Sequence, residues 1–526
     1  GSDCAQAGIR SGPFGFSSTV QDGIFGFSQK GRSFRFMTIQ KYQKVTKNDF
    51  LRWRREHGDY RRKVSGDPRR LHFHLMPETG WLNDPNGLCQ KDGVYHIYYQ
   101  YTPFEPTGQI KLWNHCTTRD FIHYEDRGPV LFPDQDFDAH GVYSGSAFLK
   151  DGTIHYFYTG NVKYFDRPDY DYIRSGRGSN TVHVSSPDGE HFSEKELLMT
   201  TADYPADISC HVRDPKILEY EGSFYMVLGA RDRSDRGLAL LYRSSDLKKW
   251  ECAGRITSPR PLGYMWECPD LFLMDGRLRL ICCPQGVPRQ EIDFANIYQC
   301  LSMEVLPDFE GGSWKVNLDS GFSQVDRGFD FYAPQSFLDE KGRRILIGWM
   351  GIPDAEYTNP TEADGWQHAL TIPRVLSLKK GRLIQEPVPE LMQLRDEIRE
   401  FPSPEQFNKA GIRELVYELN AEFENCSSAC LTLRDGAFLR YENGLLTLHL
   451  EKGGFGRDRR SVRLERLKKL RIFSDTTSLE IFVNGGEEVF TTRVYGEAGP
   501  LKIEGAGVRH IGFCRLNPIS VISCLS

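Results

Sequence analysis

The sequence predicts an all-β protein: a five-bladed β-propeller followed by a C-terminal β-sandwich. Three observations carry that expectation. A hairpin signature recurs five times between residues 87 and 347. Strand-favouring aromatics are abundant, with 33 Phe and 24 Tyr in 526 residues. Beyond residue 405 the pattern changes to short alternating strands, one of them closed by an Asn-Gly turn.

The elements follow in chain order. Residues 1–36 open Gly-Ser, are rich in Gly, Ser and Phe, and contain Phe-Gly-Phe-Ser twice. They read as a disordered leader or appended segment, with Met37 as a native start. Residues 37–70 form a basic extension that includes Arg52, Arg54, Arg55, Arg61, Arg62 and Lys63. Asn48 or Asp49 is a candidate cap for a short helix through Arg55. A solvated helix packed on the domain fits this extension better than an anion-binding arm.

Residues 71–386 hold the repeat. Five segments, 87–99, 146–158, 216–228, 270–282 and 335–347, each join two strands through a turn glycine. Those glycines are Gly93, Gly152, Gly222, Gly276 and Gly342, spaced 59, 70, 54 and 66 residues apart. Further strand-like units lie between them, at 118–124, 185–192 and 244–250. One hairpin plus another strand pair per period makes a four-stranded blade. Residues 387–404 read as a Pro-started helix or linker. Residues 405–526 read as the sandwich, with strands at 445–450, 470–473 and 478–483.

Composition narrows the function. The net charge is −5, so no global basic field points to nucleic acid or a membrane surface. No run of eighteen apolar residues predicts a spanning helix. The 13 cysteines are scattered without paired C-x-x-C spacing, which suits free thiols in a reducing cytoplasm. His72 and His74 would share one face of a strand, but a third ligand is missing, so no metal is expected.

The chemistry lies just upstream of each hairpin. Trp81-Leu82-Asn83-Asp84-Pro85-Asn86-Gly87 precedes the first, and Tyr143-Ser144-Gly145 the second. Arg213-Asp214-Pro215 precedes the third, Trp266-Glu267-Cys268-Pro269 the fourth and Tyr332-Ala333-Pro334 the fifth. Counted back from the turn glycine, Asp84 is nine residues away, Asp214 eight and Glu267 nine. Near-equivalent positions in a propeller form a ring, so three carboxylates from distant sequence meet at its mouth. Crowded like charges cost stability, which favours a functional over a structural reading. Trp81, Trp113, Tyr143 and Trp266 supply aromatic platforms, which suit a sugar better than a bare cation. Glycoside cleavage needs one ionised carboxylate and one proton-bearing acid. Arg213 is placed to hold Asp214 ionised, while crowding and Trp266 raise the pKa of Glu267.

At these residues the sequence resembles glycoside hydrolase family 32, the β-fructofuranosidases. The motifs Trp81 to Gly87, Arg213-Asp214-Pro215 and Glu267-Cys268 all match, and the likeness runs from about residue 70 to the C-terminus. Bacterial sucrose and sucrose-6-phosphate hydrolases look most similar within the family. The resemblance implies the propeller–sandwich fold, no cofactor and no metal. It implies Asp84 as nucleophile, Glu267 as acid and base, and Asp214 as transition-state stabiliser, with retention of configuration. Trp81, Leu82, Asn83, Gln100, Trp113, Tyr143, Ser144 and Arg213 match positions that hold the fructosyl unit.

Two departures stand out. Asn114 replaces a family glycine near the expected fructose pocket. The long stretch 161–180 holds Arg167, Arg174 and Arg177, either a solvated loop or a cluster for a 6-phosphate or longer fructan. The expected partner is a small sugar: sucrose, sucrose 6-phosphate or a short fructan. A fructan exo-hydrolase, a fructosyltransferase, an inverting arabinoside-cleaving relative and a non-catalytic sugar-binding propeller are the rivals. The sandwich is a candidate surface for a sugar or a second copy of the chain, as in a homodimer.

Overall fold

A computed structural model describes residues 44–525; the expected leader at 1–36 and Met37 lie outside the described residues. Two helices, Lys47–Glu56 and Gly58–Ser65, come first, and strands dominate the remainder of the described chain. The first helix is capped by Thr46, not by Asn48 or Asp49. Thr46 Oγ1 accepts from the Asp49 N–H at 3.3 Å, and Asp49 accepts from the Thr46 N–H at 2.9 Å. This reciprocal pairing satisfies two donors at once, which a lone Asn48 would not do. Phe50 and Trp53 bury the inner face. Arg54 and Arg61 both close on Glu78, and Arg52 and Arg62 pair with Asp49 and Asp59. Those four cations are thus paired with the chain's own carboxylates.

All five expected hairpins form. The turn pairs Asp92-Gly93, Asp151-Gly152, Glu221-Gly222 and Asp275-Gly276 have positive φ at both residues. That is the twist-matched hairpin turn, in which only glycine takes the second position without strain. Each hairpin opens a four-stranded antiparallel run. The first comprises Gly80–Lys91, Val94–Thr102, Leu112–Thr118 and His123–Leu131. The second comprises Val142–Lys150, Thr153–Lys163, Arg177–Ser186 and Glu196–Met199. The third comprises Ile208–Tyr220, Ser223–Asp232, Gly237–Ser244 and Glu251–Thr257. The fourth comprises Met265–Met274, Arg277–Gln285, Leu301–Leu306 and Ser313–Asn317. The fifth comprises Tyr332–Leu338, Arg344–Trp349, Arg374–Lys379 and Arg382–Pro387. First strands of successive runs lie against one another, giving a propeller-like N-terminal domain.

The units at 118–124, 185–192 and 244–250 are turns between the third and fourth strands rather than strands. Their chemistry repeats. Thr118, Ser186 and Ser244 each accept from the N–H three residues on. Asp120, Asp188 and Asp246 then accept from the N–H groups two and three residues beyond. Side-chain oxygens here replace the ladder that a strand would have used.

Two further sheets face each other in the C-terminal sandwich. One contains Arg399–Phe401, Val508–Arg515, Tyr417–Phe423, Lys469–Asp475, Ser478–Val483 and Glu488–Arg493; the other contains Arg459–Arg463, Leu445–Leu450, Ala437–Glu442, Ser428–Arg434 and Lys502–Gly505. Leu431, Leu439, Leu448, Ile472, Ile481 and Ile511 fill the space between them. Within 387–404, Pro389–Leu394 is a short 3-10 helix, and Arg399–Phe401 already pairs into the sandwich. The strand Ser520–Ser523 leaves the sandwich and runs parallel to His123–Leu131 at the edge of the first run.

His72 and His74 are not on a strand, and they do not share a face. His72 is exposed, whereas His74 is buried between the domains. His74 Nδ1 meets Asp475 at 2.7 Å and Nε2 meets Glu480 at 2.9 Å. Burial opposes its charge, but the two carboxylates override that and raise its pKa to about 8. Arg374 extends the buried network, reaching Glu480 at 2.6 Å and Asp326 at 3.2 Å.

Candidate active site

Each first strand carries one extra residue at the same place. Leu82 pairs with Tyr101 and Pro85 with Tyr99, so three steps on one strand face two on the other. The same three-against-two offset occurs from Val142 to Gly145, Arg213 to Lys216, Glu267 to Asp270 and Tyr332 to Gln335. These are β-bulges, which re-aim side chains and sharpen the local twist. Asp214, Cys268 and Ala333, at the second bulge position, all take positive φ. Non-glycine residues pay for that backbone, so it persists only where the surroundings fix it.

The three acids occupy successive steps of this bulge: Glu267 the first, Asp214 the second and Asp84 the third. In a regular strand, neighbouring steps would face opposite sides. The bulge brings the carboxylates together instead. Cys268 joins two of them, its N–H donating to Asp214 Oδ2 at 2.8 Å and its Sγ lying 3.6 Å from Asp84 Oδ2.

Asp84 is held by a relay of neutral donors. Trp81 Nε1 donates to Asn83 Oδ1 at 2.9 Å, and Asn83 Nδ2 donates to Gln100 Oε1 at 2.6 Å. Gln100 Nε2 donates to Ser144 Oγ at 2.8 Å, and Ser144 donates to Asp84 Oδ2 at 2.5 Å. Asn83 also reaches Asp84 Oδ1 at 3.0 Å. Burial raises the pKa of Asp84, and the Ser144 and Asn83 hydrogen bonds work against that rise. Asp214 is pushed up to about 7, first by burial and then by Glu267 and Asp84, against the pull of Arg213.

Arg213 pairs with Glu267, not with Asp214. Its Nη2 and Nε donate to Glu267 Oε1 at 2.6 and 3.1 Å. Its pull on Asp214 therefore does not offset burial and crowding, so the sequence expectation that Arg213 keeps the Asp214 pKa low is not met. The other Glu267 oxygen accepts from Tyr332 at 2.7 Å and from Gln285 Nε2 at 2.8 Å. Trp266 does not shape this acid either, because its ring is wholly buried and its N–H donates to Leu262 O.

The remaining expectations divide by exposure. Trp81 and Tyr143 are half-buried and line the site, with Lys111 Nζ 4.9 Å over the Trp81 ring. Trp113 is fully buried, donates to Tyr143 O at 3.1 Å and offers no open face. Leu82 is also fully buried, its side chain part of the propeller core. Asn114 faces away from the rim, donating to the Tyr99 hydroxyl at 2.8 Å and Asp126 at 2.9 Å. The three arginines of 161–180 do not cluster: Arg167 binds Ser175 O, Arg174 faces Asp235, and only Arg177 turns inward.

Four site residues escaped the sequence reading. Tyr332 sits at the first bulge position of the fifth run, the phase of Glu267, so the repeat contained its signal. Gln285, Lys111 and His211 carried none. Burial lowers the Lys111 pKa to about 7, despite nearby Glu105 and Asp84. Burial, Arg213 and Arg177 depress the His211 pKa strongly.

Comparison with known proteins identifies the family. The family model for the glycosyl hydrolases family 32 N-terminal domain matches residues 74–387, and that for the family 32 C terminal matches 400–510. A sucrose-6-phosphate hydrolase of Bacillus subtilis (strain 168) is 36% identical over 446 residues, covering 82% of this chain and 90% of its own. A raffinose invertase of Escherichia coli is 35% identical over 445 residues, covering 81% and 89%. Among solved structures, the sucrose-6-phosphate hydrolase of Lactobacillus gasseri superposes with TM-score 0.80 at 28% identity, covering 91% of this chain and 99% of that one. A Bombyx mori GH32 beta-fructofuranosidase gives TM-score 0.74 at 26% identity, covering 90% and 100%. Fold, bulged motif strands and family models converge: the chain is a glycoside hydrolase and belongs to glycosyl hydrolase family 32.

Proposed function

We propose that the chain hydrolyses terminal β-D-fructofuranosides, sucrose or sucrose 6-phosphate, with retention through a fructosyl-enzyme. The observation that carries this reading is the convergence of Asp84, Asp214 and Glu267 in one ring of bulges. Asp84 is the nucleophile. Its two neutral donors, Ser144 and Asn83, stabilise the ionised form without tying it to a cation. It attacks the anomeric carbon as the bond to the leaving oxygen breaks. Glu267 delivers its proton to that oxygen, then takes a proton from water, which displaces Asp84 and frees fructose. Asp214, anchored by the Cys268 N–H, grips fructose hydroxyls and stabilises the charge that builds on the ring.

Curated relatives bear the names sucrose-6-phosphate hydrolase and raffinose invertase, which supports the substrate class. A reducing cytoplasm is the location we favour, since the twelve described cysteines are free. The deciding experiment follows the anomer released from sucrose by proton NMR in the first seconds. β-Fructofuranose as first product supports the double displacement; α-fructofuranose as first product overturns it.

A further inference from the structure

His211 lies between two guanidiniums, and its ring can serve only one of them as an acceptor. It precedes Arg213 by two residues on Ile208–Tyr220, just ahead of the bulge. Its Nδ1 lies 3.1 Å from Arg213 Nη1 and its Nε2 3.4 Å from Arg177 Nη1. A neutral imidazole has one bare nitrogen and one N–H. Burial and the positive charges of Arg213, Arg177 and Arg231 hold the His211 pKa far below the usual histidine value, so the ring stays neutral. The shorter contact is the hydrogen bond: Arg213 Nη1 donates to a bare Nδ1. The ring proton then sits on Nε2, where the Tyr172 carbonyl draws it. The Cys210 N–H donates to Ile173 O at 3.0 Å, which ties that carbonyl's segment to the His211 strand. Arg177 is bonded elsewhere, its Nη2 and Nε donating to Asn161 Oδ1 at 2.8 and 3.2 Å.

That bond bears on where Arg213 points. A guanidinium offers its donors in a fixed planar fork. With Nη1 engaged by His211, Nη2 and Nε face Glu267 Oε1 at 2.6 and 3.1 Å. Asp214, next in the chain, is the other carboxyl that could take the same fork, but it accepts from the Cys268 N–H instead. An acceptor at Nη1 thus selects which of two acids receives the cation. The titratable groups around Glu267 are the Asp84 and Asp214 carboxyls, the Tyr332 hydroxyl and the Cys268 and Cys283 thiols, and Arg213 is the cation paired with it.

We propose that His211 is a positioning residue, whose bare Nδ1 aims the Arg213 fork at Glu267 rather than at Asp214. An opposite charge favours the ionised carboxyl. A fork that drifts from Glu267 lets this acid keep its proton to higher pH. The alkaline limb of the kcat/KM profile, which reports the essential acid of the free enzyme, then moves up. His211 is neutral throughout, so it cannot supply that limb itself. This assignment rests on the proposed role of Glu267 as the acid.

The test sets an isosteric pair, His211→Asn and His211→Leu, against the wild-type full chain. Asparagine puts an oxygen near the place of Nδ1, whereas leucine has nearly the same shape and no acceptor. His211→Leu should lose roughly tenfold in kcat on sucrose while KM changes less than about threefold. Its alkaline limb should move up by about one pH unit. His211→Asn should recover most of the kcat and keep the wild-type limb. Equal losses in both variants with an unmoved limb mark a packing role and overturn the proposal. So does a crystal structure of His211→Leu in which the Arg213 fork still lies within 3.1 Å of Glu267 Oε1. Nitrogen-15 NMR of the wild type depends on no variant: His211 should carry its proton on Nε2 alone from roughly pH 5 to 9. A proton on Nδ1 overturns the proposal. If the wild type cleaves neither sucrose nor sucrose 6-phosphate, the hydrolase reading falls, and the NMR and the crystal structure then decide the positioning role by themselves.

Discussion

Replacing Asp214 with Asn should abolish most turnover and yet make the fold more stable at alkaline pH. In the native protein, burial and two neighbouring carboxylates raise the Asp214 pKa from 3.8 to about 7. Between those values the folded state keeps a proton that the unfolded chain has released. Stability from this group is therefore fully present below 3.8 and is lost as pH rises through about 7. A shift of about 3 units at 1.36 kcal/mol each gives a penalty of about 4 kcal/mol at pH 8. Asparagine carries no such penalty, and its amide oxygen still accepts from the Cys268 N–H. An unfolding entropy of about 2.1 cal/mol/K per residue converts that gain to roughly 4 °C in Tm for a chain of this size. The assay is differential scanning calorimetry at one scan rate, wild type against Asp214→Asn, at pH 4 and pH 8. The variant should melt higher at pH 8, and the gap should close towards pH 4. A variant no more stable at pH 8, or a gap independent of pH, would refute the reasoning.

Other expectations rest on the same contacts. Glu267→Gln should lose roughly 10²- to 10⁴-fold in kcat on sucrose, but much less on an aryl fructoside whose leaving group needs little protonation; equal losses would remove Glu267 as the acid. Tyr332→Phe deletes one donor to Glu267 and should lower kcat by roughly tenfold with KM little changed, the scale of one lost hydrogen bond of about 1.4 kcal/mol. A rise in KM alone would place Tyr332 in binding instead. The His74 charge, stabilised by Asp475 and Glu480, contributes stability that is fully present below pH 6.5 and lost as pH rises through about 8. Wild type should therefore lose about 2 kcal/mol between pH 6 and pH 9 that His74→Gln does not lose, as read from urea denaturation at each pH. Parallel pH profiles for the two proteins would rule that out.

What could be read from the sequence was what is decided locally. An acidic residue before glycine at Asp92-Gly93 or Asp275-Gly276 sets a hairpin turn through backbone sterics alone, and all five hairpins form. The bulges were not legible, because an extra residue shows only when two strands are placed in register. The sequence count put the acids at nine, eight and nine residues from the turn glycine. The register resolves this into three successive bulge steps. Partner choice was equally hidden. Arg213 adjoins Asp214 in the chain but points across the ring to Glu267, a partner that only the placed strands reveal. Trp113 and Trp266 looked like sugar platforms from their motif positions, but packing decided their burial. The segments at 118–124, 185–192 and 244–250 misled for a different reason. Their flanks are strand, while their Ser or Thr and Asp side chains satisfy the backbone of a turn.

The strand Ser520–Ser523 has a consequence for synthesis. It pairs with His123–Asp126, and the Leu525 carbonyl lies within 3.4 Å of Arg54 Nη2. The ribosome delivers the residues of the first run long before the strand that covers their outer edge. Until then His123–Leu131 presents an open ladder of amide and carbonyl groups, a template for pairing with another nascent chain. Yield on expression should therefore respond to translation speed and chaperone supply more sharply than the stability of the finished molecule would suggest.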